Sequence, residues 1–323
     1  MNWFAAELHC HTLHSDGNFT VDELKTKAKQ HELKGIALTD HNTISGWAEL
    51  SDETEKGAVA VLKGIEWTTF FGHMLVMDCP SFVDWRDALP ENIDEKIREV
   101  RSHGGLVCIA HPFELGSPMC TGCFWDYHVH KWENVNCIEV WSEAFPSIKT
   151  SNQRAVELWN SVLDKGYHIA ATHGKDWHKE IEETVPGACT YLGTDSCELT
   201  PAEMKNALSS GRTAITMGPL LIMEAAQGEI IYQIGSVIDS GKTTFDFTVD
   251  ISARSSQWEK FDLRIESVRL ITNGGKITAE RPFENNSITI EITAASGWYR
   301  GELWGSAMGK SCCLAMTSPI YSK

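Results

Sequence analysis

A chain of 323 residues is long enough to bury a large core, and its 44 acidic against 28 basic residues leave it a net charge of −16. That charge repels nucleic-acid polymers and anionic membranes, and no apolar run approaches the roughly 20 residues of a membrane span. Ten cysteines in a secreted chain would suggest disulfides, but a ligand-type histidine at position 9 leaves no room for a leader's apolar core, so a cytoplasmic protein is expected.

Ala5 to Cys10 is apolar enough for a buried strand, and on a strand alternate side chains share a face, so His9 and His11 point the same way. Ser15-Asp16-Gly17 has turn composition, and Asp16 can fold back over the strand end as an oxygen ligand or as an orienter of one. His14 is out of phase with the pair. Thr20-Val21-Asp22-Glu23 is a capping box and predicts a helix start.

Gly35 to Thr39 is a short apolar strand ending in Asp40-His41-Asn42, and Val59 to Ile65 repeats the pattern and ends in Glu66, with Gly72-His73 ahead of the apolar run Met74 to Met77. Ile93, Ile97 and Val100 mark a helical face, followed by a strand Leu106 to Ala110 and then His111-Pro112. Val135 to Trp141 predicts another strand, Ser151 to Leu163 a helix buried through Ala155, Trp159, Val162 and Leu163, and Tyr167 to Thr172 a strand leading into His173-Gly174-Lys175-Asp176-Trp177-His178. Thr200-Pro201-Ala202-Glu203 reads as a second capping box, opening a helix that ends near Gly211. Cys120-Thr-Gly-Cys123 has no partner pair at zinc-finger spacing and reads as loop cysteines, while Cys312-Cys313 reads as core.

Strand and helix in alternation predict parallel strands in a barrel or an open sheet, with the chemistry at the carboxyl ends of the strands, where the His, Asp and Glu residues gather. From about Pro219 the pattern changes. Phe245, Phe247, Val249 and Ile251 alternate with polar residues, as do Ile288, Ile290 and Ile292, and Asn273-Gly274-Gly275 supplies a tight turn. A small antiparallel sandwich over 219–323, packed on a barrel over 1–218, is the expected organisation.

The ordered set HxHTxxSDG, TDHN, GxE with a following GH, AHP and DxH resembles the PHP (polymerase and histidinol phosphatase) superfamily over roughly residues 5 to 217, and most closely its stand-alone metal-dependent phosphoesterases and CehA/McbA-type metallohydrolases. The resemblance implies an α/β fold, a distorted (β/α)7 TIM-like barrel, holding up to three divalent ions (Zn, Mn or Fe). It implies His9, His11, Glu66 and Asp176 on one ion, Glu66, His73 and His111 on a second, and Asp16, His41 and His178 on a third. Glu66, bridging two ions, Asp176 and His178 would then stand at the reaction itself. His14 has no counterpart in that ligand pattern, and Trp177, between two ligands, should point away from the metals.

Clustered divalent ions hold both a nucleophile and a phosphoryl oxygen and lower the pKa of water toward 7, so the expected reaction is attack of a metal-bridging hydroxide on a small phosphate ester. Lys175, Arg212 and His173 are candidate cations for the charge that develops. The same nucleophile attacks a carbonyl carbon, so hydrolysis of esters, carbamates or amides is the alternative, with a non-catalytic metal-binding module third. Trp67, Trp125 and Trp141 lie near motif ends, where they stack on a ring or belong to the core. The oligomeric state is not readable from the sequence.

Overall fold

The computed structural model of the chain describes residues 1–50, 57–116 and 122–323. Cys120 of the CxxC pair lies outside them.

The first two-thirds run β1 (Asn2–Cys10), α1 (Val21–Gln30), β2 (Gly35–Leu38), β3 (Ala60–Thr69), β4 (Gly72–Met77), α2 (Ile93–Ser102), β5 (Leu106–Ile109), β6 (Cys137–Ser142), α3 (Thr150–Leu163), β7 (Ala170–Gly174), β8 (Cys189–Thr194), α4 (Pro201–Ser209) and β9 (Thr213–Thr216). Their order in the sheet is β9-β8-β1-β2-β3-β4-β5-β6-β7. Small and branched residues fill the side enclosed by the strands: Ala6, Leu8, Ala37, Leu62, Leu75, Cys108 and Leu192 form one buried cluster. The opposite side of β1 and β2 packs on α1 through Ala5, Cys10, Ile36, Leu38 and Leu24.

Two expectations change here. The sheet is mixed, because β4 runs antiparallel to both β3 and β5, and β8 runs antiparallel to both β1 and β9. The run ending at Ile65 does not stop there: β3 continues through Glu66 to Thr69 and turns directly into β4, and a hairpin can only be antiparallel. Nor is the sheet closed, since no ladder joins β7 to β8 or β9. Hydroxyls span that gap instead. Thr190 Oγ1 accepts from the His173 amide and donates to the His173 carbonyl, and Thr213 Oγ1 donates to the Ala171 carbonyl. A TIM barrel in the strict sense is therefore not formed.

The helices start and stop for local reasons. Thr20 caps α1 and Glu23 reaches back to its amide at 2.8 Å, completing the box. At α4 the box is half made: Thr200 accepts from the Glu203 amide, but the Glu203 carboxylate turns to the Thr194 hydroxyl, tying the helix to the end of β8. Ile93, Ile97 and Val100 of α2 and Ala155, Trp159, Val162 and Leu163 of α3 are all buried.

The remaining strands are β10 (Leu220–Gln227), β11 (Ile230–Gln233), β12 (Val237–Ile238), β13 (Gly241–Asp250), β14 (Arg264–Thr272), β15 (Lys276–Pro282), β16 (Ser287–Ala294), β17 (Gly297–Ala307), β18 (Lys310–Thr317) and β19 (Ile320–Ser322). They do not make a free-standing sandwich. β10, β11, β13 and β16 form a four-stranded antiparallel sheet, whereas β18 pairs with β9 and so continues the first sheet through β17, β14 and β15. The two sheets meet face to face: Phe245 and Phe247 are fully buried, and the Phe245 and Tyr299 rings lie 5.2 Å apart. Ile251 falls beyond the end of β13 and is exposed, so the alternation stops one residue earlier than the sequence pattern indicates. Asn273-Gly274-Gly275 joins β14 to β15 with both glycines at positive φ, +72° and +68°. Trp67 and Trp141 belong to the core, and Trp125 packs against it. No helix among the described residues is long and apolar enough to cross a membrane.

Candidate metal centre

β1 carries the first two ligand-type residues, and a bulge sets them. The β1–β2 register slips between Glu7 and Cys10, so three residues of β1 span two of β2. Leu8 thereby joins the enclosed apolar cluster while His9 and His11 both face the centre above it. The ladder then continues as isolated bridges at the site. Cys10 pairs with Trp177, whose amide donates to the His9 carbonyl (2.9 Å) and whose carbonyl accepts from the His11 amide (3.0 Å). His41 pairs with Glu66 in the same way, which sets the strand ends beside one another.

Nine side chains from six chain segments converge in three overlapping groups: His9, His11, Glu66 and Asp176; Glu66, His73 and His111; His11, Asp16, His41 and His178. Glu66 is central. Its Oε2 lies 3.1 Å from His9 Nε2, 3.4 Å from His11 Nε2 and 2.8 Å from His41 Nδ1, and its Oε1 lies 3.0 Å from His73 Nδ1 and 3.4 Å from His111 Nε2. Asp176 Oδ1 lies 2.9 Å from His11 Nε2 and 3.3 Å from His9 Nε2, while Asp16 Oδ1 lies 3.1 Å from His178 Nε2 and 3.5 Å from His41 Nε2. His11, shared by two groups, is the one difference from the sets that the resemblance implies.

The donor set fits divalent cations. His9 Nε2, His11 Nε2, both Glu66 oxygens and Asp176 Oδ1 are buried and make no hydrogen bond, although buried polar atoms of this kind are normally satisfied. Neighbouring protein atoms fix the imidazoles with their lone pairs inward. Glu139 Oε1 accepts from His9 Nδ1 at 3.0 Å, so Nε2 is the free atom, and the Asp176 carbonyl accepts from His178 Nδ1 at 2.9 Å with the same result.

Protonation follows the same geometry. Burial pushes the Glu66 carboxyl up, but the charge of His9 and the closely placed imidazoles of His111, His41 and His73 hold it well below the usual range. Burial works against a charged His111, yet Glu66, with Oε1 3.4 Å from its Nε2, and the surrounding carboxylates raise it to about 9. His11 is lowered by burial.

Several supporting residues escape a reading by strand ends. Glu139, fully buried in the middle of β6, accepts from His9 with one oxygen and from the His111 amide (3.0 Å) with the other. Asp40 accepts from the Thr12 amide (2.7 Å), the Thr12 hydroxyl and the Ser15 hydroxyl, shaping the loop that presents Asp16. Gly17 closes that loop against the His11 carbonyl, where a Cβ would collide with backbone. Glu7 Oε1 accepts from the His9 amide (3.1 Å) and the Lys175 amide (2.8 Å), joining the backbones of two ligand segments. Sequence signals existed for two of these, Asp40 through the TDHN motif and Gly17 through the turn that closes HxHTxxSDG, and for neither Glu139 nor Glu7.

The three candidate substrate cations do not reach the centre. Lys175 faces the other side of the strand wall, with Nζ 2.9 Å from Glu183 and 4.7 Å from the centre of the Trp177 ring. Arg212 pairs with Asp195 at 3.1 Å just past β8; because β8 is antiparallel to β1, this end abuts Asn2, at the far end of the sheet from His9. His173 is fully buried, with Nε2 donating to the Glu143 carbonyl. Trp177 is buried against Phe19 and His31, away from the ligand cluster. His14 binds Ser45 and Glu49.

Residues 7–105 match the PHP domain family, and an alignment 128 positions long is 32% identical to the uncharacterized protein MJ1587 of Methanocaldococcus jannaschii, covering 36% of this chain and 70% of that one. The chain contains a PHP domain. Among solved structures, a two-domain protein from Bacteroides vulgatus, described as containing a predicted PHP-like metal-dependent phosphoesterase, superposes with a TM-score of 0.56 at 15% identity, covering 99% of this chain and 95% of that one. A weaker likeness, TM-score 0.42 at 14% identity over 64% of this chain and 56% of that one, is to a lesion-specific endonuclease of Pyrococcus furiosus.

Proposed function

We propose that this PHP protein is a metal-dependent hydrolase of small phosphate esters. The observation that carries the reading is Glu66, whose two oxygens face separate histidine groups with no hydrogen bond to either oxygen, as a carboxylate shared by two cations would. His9, His11, Glu66 and Asp176 would hold one ion, Glu66, His73 and His111 a second, and Asp16, His41 and His178, with His11 beside them, a third. Bound there, divalent ions would supply a water of lowered pKa and polarise a phosphoryl oxygen. Mixed imidazole and carboxylate donors suit Zn, Mn or Fe.

The chain's own residues do the remaining work. Glu66, Asp176 and His178 stand where substrate and ions would meet, Glu139 keeps His9 in the tautomer that points its lone pair inward, and Asp40 and Glu7 hold the loops and strand ends that carry the donors. Lys175, Arg212 and His173 have no part in this reading. The phosphoesterase described for the Bacteroides vulgatus structure speaks for the ester class, and the net charge of −16 speaks for a small anion over a polyanion.

In this reading residues 1–218 form a distorted, open barrel that carries the chemistry and 219–323 a β-rich second unit built onto its edge. Among the described residues, eight buried free cysteines fit a reducing, cytoplasmic setting. A panel of phosphomonoesters, aryl esters and carbamates, assayed with added Zn, Mn or Fe and with metal analysis of the purified protein, tests the assignment. Turnover of phosphomonoesters that follows metal content is expected; turnover of carboxylic esters or carbamates alone would replace it with the carbonyl reaction.

A further inference from the structure

Beside the candidate metal centre lies a cavity of about 490 Å³, and we propose that it receives a neutral aromatic group of the substrate, the leaving group of an aryl phosphate; this rests on the hydrolase reading above. The cavity begins where the ligands end. Glu66 and Thr68 are alternate residues of β3 and share a face, about 6.6 Å apart along the strand. Thr68 Oγ1 is 2.5 Å from His41 Nδ1 and also lines the cavity, so one side chain borders both spaces.

Beyond Thr68 the walls are Phe71, Trp85 and Leu89, with Phe70 at the turn of the β3–β4 hairpin. Phe70 is 79% exposed and Leu89 48% exposed, so large apolar side chains stand in water at the mouth of a ligand-sized space.

Charge and hydrogen bonding narrow the occupant. Arg86 is the one charged residue among the described lining residues, and Asp84 already grips its guanidinium with two contacts, 2.8 Å at Nε and 2.7 Å at Nη2. The cation is matched, so the cavity offers little to a second anion. Thr69 Oγ1 donates to the Gly72 carbonyl and meets the Tyr127 hydroxyl, and Thr68 is engaged by His41, which leaves few free partners for a polyhydroxylated group. A flat apolar ring matches what remains, with its phosphate directed back toward Glu66.

The test uses the metal-loaded full chain and three probes: methylphosphonate, phenylphosphonate and 2-naphthol. Calorimetric titration is expected to give phenylphosphonate about tenfold tighter binding than methylphosphonate. Phe70→Ala and Leu89→Ser, both at exposed side chains, should bring that ratio toward one, leave methylphosphonate affinity unchanged, and weaken 2-naphthol binding read by its fluorescence. A ratio near one in the unaltered protein, or a ratio that neither substitution moves, overturns the proposal. If neither phosphonate binds but 2-naphthol binds in a Phe70-dependent way, the phosphoester reading falls and the aryl site stands; absence of 2-naphthol binding as well removes both.

Discussion

Replacing Glu139 by Gln changes one buried side chain by a single atom and tests whether the metal donors depend on a carboxylate behind them. Both partners of Glu139 are donors, His9 Nδ1–H at 3.0 Å and the His111 amide at 3.0 Å. A carboxylate accepts from both. An amide accepts from one and turns its NH2 toward the other, so either orientation leaves a buried donor facing a donor, at a cost of about 1–3 kcal/mol. Part of that cost falls on the free protein, and the part borne by the metallated state appears as weaker binding. Loss of a hydrogen-bonding partner behind a ligating histidine typically lowers metal affinity 10- to 100-fold, or about 1.4–2.7 kcal/mol. The assay is metal content by mass spectrometry after dialysis against graded chelator, with the thermal midpoint of the chelated protein measured in parallel. A shifted chelation midpoint for one ion is expected. A lower thermal midpoint with an unchanged chelation midpoint would refute the argument, because Glu139 would then support the fold and not the donors.

Glu66→Gln should abolish turnover and cost bound metal, since a neutral amide no longer offers two negative oxygens to two groups; activity near that of the unaltered protein at full metal content would sink the shared-carboxylate reading. His178→Ala should remove one ion of three while circular dichroism stays unchanged, and loss of all metal, or of none, contradicts the partition. Lys175→Ala and Arg212→Ala should each leave turnover within about threefold, because their charges are directed at Glu183 and Asp195; a hundredfold loss would return them to the substrate. Inorganic phosphate should bind the metallated protein and bind far more weakly after chelation, with helix content retained, which calorimetry before and after chelator reads directly.

The clustering of these histidines and carboxylates was legible because most of them sit where a hydrophobic period breaks: His9 and His11 at the end of one apolar run, His41 and His111 just past two others, Asp176 and His178 beyond a fourth. What supports them was not. Glu139 lies mid-strand inside Cys-Ile-Glu-Val-Trp, where its spacing is that of any alternating strand, and only the place of β6 between β5 and β7 in the sheet brings it behind His9. The direction of Lys175 depends on which face of the extended segment meets Glu183, and Arg212 depends on β8 reversing direction, a strand absent from the sequence reading. In the C-terminal third, alternation identified strands such as β13 and β16 but not their partners; sharing of β9 with β18 is a long-range pairing that local pattern does not encode.

Backbone strain gives the centre a second signature. Three non-glycine residues with positive φ lie at the site: Asn42 at 54°, His111 at 25° and Asp176 at 52°, two of them ligand candidates and the third next to His41. Each such conformation costs on the order of 1–3 kcal/mol and persists only where neighbouring contacts hold it. Those contacts are present. Asn42 exchanges side-chain bonds with the Thr68 amide and carbonyl, the His111 amide is held by Glu139, and Asp176 stands between the Lys175 amide held by Glu7 and Trp177 paired to β1. At Gly174, two residues before Asp176, a Cβ would collide with the Glu139 carboxylate, so the strand end and the carboxylate behind the donors are packed as one unit. The strained residues and the donors beside them are therefore held by the same protein contacts, so a substitution that loosens Glu139, Glu7 or Asn42 disturbs the donor geometry along with the local backbone.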